Sequence, residues 1–247
     1  MRQVTKQFRP MNTQWMATVA ILASLLTPAL ARAADDKAEQ ERLKESGVVL
    51  KEIITTNPGI PQDILNKSEC VIVLPSVKKA AVVVGAQYGR GAMTCRSGAN
   101  FDGPWSAPIM MRSSGGSFGF QIGGEATDFV VLVMNDKGAK AVMKGRAKLG
   151  GDASVAAGPV GRTAEASTTA TMSAEMLSYS RAHGVFGGVS LSGTSLGPDD
   201  GPNENLYGKK VSGEEIFGGS VQPPASAELL LSTLNSKSPK NASKGKS

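Results

Sequence analysis

Cys70-Val-Ile-Val-Leu-Pro-Ser-Val-Lys-Lys-Ala-Ala-Val-Val-Val84 holds two β-branched runs, Cys70 to Leu74 and Ala81 to Val84, with Pro75-Ser-Val-Lys-Lys79 between them. β-Branched side chains pack well on a pleated surface, so both runs read as strands, separated by the proline-containing stretch. A third strand is expected to carry through Met93. Downstream, Phe129-Val-Val-Leu-Val-Met134 is apolar without alternation, the pattern of a strand buried on both faces. Phe118-Gly-Phe-Gln-Ile122 alternates bulky and small residues, and two more strands are expected over Met172 to Arg181 and Val185 to Leu196, joined at His183-Gly184. The chain carries 29 glycines, many inside these runs, where they mark bends, bulges and close backbone approach. The expected fold is α+β and β-rich, a curved, barrel-like antiparallel sheet with an N-terminal amphipathic helix and short peripheral helices.

Those helices have their own signals. Leu43, Gly47, Leu50 and Ile54 recur at spacings of 4, 3 and 4, one stripe of an amphipathic helix that ends near Asn57-Pro-Gly59. A short helix can start at Pro61 and run through Ile64 and Leu65. Asn135 can cap a helix over Lys137 to Lys144, which Gly145 ends, and the leucine cluster of Ala225 to Leu234 is helical. Residues 149–171 read as extended or irregular.

The formal charge of +6 is unevenly distributed. Residues 1–33 carry four basic groups and no acid, and residues 236–247 carry four lysines and no acid, which leaves 19 basic against 21 acidic groups over residues 34–235. A slightly acidic body argues against a nucleic-acid binder. Arg2, Lys6 and Arg9, the 13-residue apolar run Trp15 to Thr27, and Ala31-Arg-Ala33 form an export signal with its cleavage site. Thirteen helical residues rise about 20 Å, short of the roughly 30 Å hydrocarbon core. The expected organisation is a signal peptide over 1–33, one domain over 34–235, and a solvated basic tail over 236–247. In an oxidising compartment Cys70 and Cys95 can pair; they can equally be two small buried hydrophobes within strands. One histidine, His183, and no Cys-x-x-Cys leave a zinc site without ligands, and no metal or organic cofactor is expected.

Gly115-Gly-Ser-Phe-Gly119 has the spacing of a nucleophile elbow, but that turn must lead from a strand into a helix, and Phe120-Gln-Ile-Gly-Gly124 follows. Glu125, Asp128 and Asp152 are scattered carboxylates without the spacing of a catalytic pair. No phosphate-cradling glycine loop is present, so the sequence reads as non-enzymatic.

Several blocks resemble the SYLF-domain family of lipid-binding proteins: Ile60-Pro61, Val73-Leu-Pro75 followed by Lys79, Gly85 through Tyr88-Gly-Arg-Gly91, Trp105-Ser-Ala-Pro108, Gly119 to Gly123 and Asp128. The match continues through Leu149-Gly-Gly-Asp152, Ala156 to Arg162, Tyr179-Ser180, Gly184-Val-Phe186 and Asn205-Leu-Tyr-Gly208, so the blocks keep their order over about residues 45–217. The resemblance implies a β-rich domain without known catalysis that binds phosphoinositides or other anionic phospholipids, in eukaryotic members largely through an N-terminal amphipathic helix, with actin association for some. With an export signal it implies a bacterial, exported member, in the periplasm or secreted and peripheral on an envelope membrane, without access to actin or cytosolic phosphoinositides. A structural or protein-interaction role in the envelope is the alternative.

Two features can meet a membrane. Lys137, Lys140, Lys144, Arg146 and Lys148 place five cations within twelve residues with no acid between them, each worth about 1 kcal/mol at an anionic surface; the same spacing also suits a solvated helix face. The resemblance puts Leu43, Leu50 and Ile54 into lipid. The charges around them oppose this, since Asp35, Asp36, Glu39, Glu41, Glu45 and Glu52 outnumber Lys37, Arg42, Lys44 and Lys51, and a helix lying on a membrane carries a cationic polar face. Its stripe can bury against the sheet or into acyl chains but not both, which makes the helix an element expected to be removable without loss of the sheet.

Overall fold

The computed structural model describes residues 35–243 apart from 82–83, 119–122, 146, 152, 162–172, 183 and 190. The expected signal peptide, residues 119–122, Arg146, Asp152, His183 and the last four residues of the tail lie outside the described residues. The elements are α1 (residues 35–55), α2 (Gln62–Lys67), β1 (Cys70–Ala81), β2 (Val84–Cys95), β3 (Ile109–Phe118), β4 (Gly123–Val133), α3 (Asp136–Met143), β5 (Ala147–Lys148), β6 (Val155–Ala157), β7 (Met176–Ala182), β8 (Val185–Gly188), β9 (Thr194–Pro198), α4 (Asp200–Tyr207), α5 (Gly213–Phe217) and α6 (Glu228–Lys237). The protein is α+β and strand-rich. Its described strands form one sheet in the order β5-β9-β3-β2-β1-β4-β7-β6, with β8 also on β7, curled into an open half-barrel. All pairs between the described strands are antiparallel except β6 with β7, which lies in the stretch read as extended or irregular.

The run from Cys70 departs from expectation at its proline. Pro75 to Lys79 does not separate two strands; β1 passes through it to Ala81, and Val84 already begins β2. Instead Pro75 and Ser76 form an irregularity at which the register slips against both neighbours, between Val73 and Lys78 on the β2 side and between Leu74 and Val77 on the β4 side. A proline is tolerated inside a sheet at such a bulge because its missing N–H is not asked for. Ser76 takes a φ of 49°, and its N–H donates to Asp128 Oδ1 at 2.9 Å. Across the ladder Gly91 makes room, since a Cβ there would stand 1.9 Å from the Val73 carbonyl oxygen. The strand expected over Val185 to Leu196 also divides, into β8 on β7 and β9 on β3, at opposite sides of the sheet.

Alternation along β1 to β4 gives the sheet two apolar faces. The inner one gathers Ile72, Leu74, Val77, Met93, Met111, Phe129, Val131 and Val133 under α3 and α5. The outer one places Val71, Val73, Ala92, Met110, Val130, Leu132 and Leu177 under α1 and α6. Phe129 to Val133 are therefore buried on both sides, as their unbroken apolar run requires. Cys70 and Cys95, directly opposite on β1 and β2, are joined by a disulfide and are also fully buried, so both readings of the pair hold together.

Helix α1 is part of the outer core. Leu43, Leu50 and Ile53 are fully buried and Val49 nearly so, while Ile54 is half-buried; the inward stripe runs through Ile53 rather than Ile54. Gly47 lets α1 meet the start of α6 so closely that a Cβ would lie 2.8 Å from the Leu230 nitrogen. The helix is thus not removable without uncovering the sheet. The tail is corrected too. Ser236 and Lys237 belong to α6, Ser238 is fully buried, and Asn241 donates to the Phe101 carbonyl at 2.8 Å. What holds Ser238 is Arg96, a fully buried guanidinium stacked 4.3 Å over the Trp105 ring. Its Nη2 donates to Ser238 Oγ at 2.7 Å, to the Ser238 carbonyl at 3.1 Å and to the Lys240 carbonyl at 3.0 Å, while Trp105 Nε1 donates to the Ser238 carbonyl at 2.9 Å. Burial pushes the Arg96 pKa down to about 10, which leaves it charged at neutral pH.

Candidate functional site

Helix α3 forms where its cap predicted, with Asn135 Oδ1 accepting from the Gly138 N–H at 3.0 Å. Its lysines are less available than their spacing suggests. Lys137 pairs with the buried Glu175 at 2.5 Å and Lys140 with Asp136 one turn earlier at 2.6 Å. Lys144 is exposed at the end of the helix, and Lys148 is exposed on β5. A groove of about 430 Å³ beside α3 is lined by Phe101, Met143 and Phe217, and by Lys140 together with Asp136 and Glu214, so it has no excess of positive charge.

The acyl-facing stripe expected on α1 is not on the surface. Leu43 and Leu50 lie between the sheet and α6, and one of the acids that argued against a membrane-lying helix, Glu52, ties it to the sheet instead. Glu52 pairs with Arg181 at 2.5 Å, Arg181 pairs with Asp128 at 2.8 Å, and Glu39 pairs with Arg42. Burial lowers the Arg181 pKa, but its bonds to Asp128 and Glu52 outweigh that and hold the group above its ordinary range.

What the sequence did not reveal is the rest of the outer sheet face, beyond α1. Register places Ala126, Lys78, Tyr88, Ser114, Ser195 and Lys148 in one cross-strand row running β4-β1-β2-β3-β9-β5. Directly opposite residues share a face. Every described member of this row is exposed, Tyr88 by 48%. In the next row Arg90 faces Arg112, and Arg112 faces Gly197. At described strand positions of this face the exposed charges are Lys78, Arg112 and Lys148, all cationic. The carboxylates the structure pairs beside it are each held by an arginine, Asp128 by Arg181 and Asp199 by Arg90. Arg90 Nε lies 2.9 Å from Asp199 Oδ2, and the guanidinium sits 5.8 Å from the Tyr88 ring centre. Gly197 packs on the Gly145 carbonyl, where a Cβ would come within 2.3 Å; this brings the Lys144-Gly145 turn against β9. One signal was available: Tyr88 and Arg90 are two apart, as residues on one face of a strand must be. Lys78 was hidden by the bulge, and Lys148 by distance along the chain.

The catalytic alternatives gain nothing from the geometry. Ser117 sits inside β3 opposite Gly85, not at a strand-to-helix turn. No group of three or more His, Cys, Asp or Glu that could hold a metal ion occurs among the described residues, and no helix there is long and apolar enough to cross a membrane.

The profile of the family described as "Ysc84: Las17-binding protein actin regulator" matches residues 114–237. The chain belongs to the Ysc84/SYLF family. It is 35% identical over 209 residues to the rat SH3 domain-containing YSC84-like protein 1, covering 82% of this chain and 60% of that one. An SH3 domain-containing protein of Schizosaccharomyces pombe is 38% identical over 182 residues, covering 72% and 41%. LAS seventeen-binding protein 3 of Saccharomyces cerevisiae is 30% identical over 211 residues, covering 83% and 45%. The chain thus spans about half the length of these curated relatives. No solved structure matches. The family description is that of an actin regulator, not of a catalyst.

Proposed function

We propose that this domain binds anionic phospholipid surfaces without catalysing a reaction, as an exported protein peripheral on a bacterial envelope membrane. The observation that carries the reading is the outer sheet face, where Lys78, Arg112 and Lys148 supply the exposed charge around a half-exposed tyrosine. Each such cation contributes about 1 kcal/mol near an anionic leaflet, and an amphipathic aromatic suits headgroup depth. Export is supported by the signal-like first 33 residues and by the Cys70–Cys95 disulfide, a bond that persists in oxidising compartments. No cofactor enters the proposal.

Neutralising Lys78, Arg112 and Lys148 together to Gln removes about 3 kcal/mol, on the order of a hundredfold in partitioning into phosphatidylglycerol-containing vesicles. Lys137, Lys140 and Lys144 neutralised in the same way should cost less, because Lys137 and Lys140 are held by Glu175 and Asp136 while Lys78 and Arg112 form no ion pair among the described residues. Vesicle co-sedimentation of both triple variants checks this. The reverse ranking would move binding to α3, and no loss in either variant would favour the envelope protein-interaction role.

A further inference from the structure

We propose that Arg90 and Arg112 form a clamp for the phosphate of a phospholipid headgroup, with Tyr88 beside it at the membrane interface. This rests on the lipid reading above and names the chemistry of its site. The two arginines stand directly opposite one another on β2 and β3. Like charges placed so are unfavourable unless something negative answers them. Asp199 answers one: it is buried before α4 and pairs with Arg90 at 2.9 Å. Arg112 is exposed and has no ion pair among the described residues. Among the described residues the pair therefore keeps one uncompensated positive charge at the water-facing side, next to the exposed Tyr88 and the exposed hydroxyl residue Ser114.

The residue types select the anion. A guanidinium is a planar fork that matches a phosphate through two parallel hydrogen bonds, which an ammonium cannot do. Arg90 is oriented in advance by Asp199 and by the ring of Tyr88, 5.8 Å from its Cζ, so little side-chain entropy remains to be lost on binding. The near-balanced charge of residues 34–235 disfavours a long polyanion, whereas a bilayer presents single phosphates at the depth where a tyrosine is stable. The occupant is thus a lipid phosphate in a membrane plane.

The test is partitioning of the protein, as purified from its producing cells, into vesicles of phosphatidylcholine and phosphatidylglycerol. Arg112→Lys keeps the charge and removes the fork; Arg112→Gln removes both; Lys78→Arg is the control on the same face. A clamp predicts that Arg112→Lys loses about fivefold, nearly as much as Arg112→Gln, while Lys78→Arg binds as wild type does. Unchanged melting of these exposed-site variants shows that the fold is intact. If Arg112→Lys binds as well as wild type, the clamp is overturned and the face acts by charge alone. If the wild-type protein shows no preference for anionic vesicles, the lipid reading fails and takes the clamp with it.

Discussion

Trp105→Ala is expected to lower the unfolding free energy by about 3–5 kcal/mol, the range for emptying a packed aromatic site. The indole is a corner at which three parts of the chain meet. It lies in the outer core, carries the buried Arg96 guanidinium 4.3 Å above its ring, and donates to the Ser238 carbonyl at 2.9 Å. Removing it leaves a cavity and takes away the surface on which a buried charge is stacked. The oxygens receiving the described hydrogen bonds of Arg96 are those of Ser68, Ser238 and Lys240, all neutral. Truncation after Lys237 takes away the Ser238 and Lys240 oxygens and should destabilise in the same direction. Urea unfolding of both variants checks the account, and a Trp105→Ala midpoint equal to wild type would show that the corner is not packed as described.

Leu50→Ala is expected to cost about 2–5 kcal/mol. Leu50 is fully buried between the sheet and α6, and Gly47 one turn earlier holds the two helices at backbone contact. Deletion of residues 35–57 would strip Leu43, Val49, Leu50 and Ile53 from the outer core at once and expose Val71, Val73, Val130 and Leu132 to water. At about 1.5–3 kcal/mol per large apolar side chain the four lost residues alone account for about 6–12 kcal/mol, as much as the whole stability of an ordinary domain. Circular dichroism should then find the truncated chain unfolded or aggregated. A cooperative, β-rich melt from it would mean that α1 is a dispensable cover.

Much of this fold was legible because burial imposes period. Phe129 to Val133 announced a strand covered on both faces, and the stripe from Leu43 to Leu50 announced a helix with one buried side. Two misreadings have one cause. Pro75 punctuates a sequence wherever it falls, but in β1 the long partners β2 and β4 pair on both sides of it, and the hydrogen bond from the Ser76 N–H to Asp128 completes the bulge. Ser236 onward looked solvated because it is polar, yet a serine whose carbonyl and hydroxyl both accept from Arg96 is satisfied in the interior. Tertiary partners overrode local chemistry in each case.

The candidate site was less legible. A run of cations along the chain, Lys137 to Lys148, was easy to see, but Asp136 and Glu175 discount two of them. The cations that share a surface come from β1, β3 and β5, strands far apart in sequence, and only the register of the sheet brings Lys78, Arg112 and Lys148 to one face.

The most direct measurement is the salt dependence of vesicle binding. Fluorescence-detected partitioning of residues 34–247 should show association with phosphatidylglycerol-containing vesicles at about 0.01 M salt, where the screening length is about 30 Å, and release as it shrinks to about 10 Å near 0.1 M. Neutral phosphatidylcholine vesicles should bind little at either salt, because Leu43, Val49, Leu50 and Ile53 of α1 are already buried in the fold. Equal binding to neutral and anionic vesicles, or binding that salt does not weaken, would contradict a cationic sheet face as the membrane-docking surface.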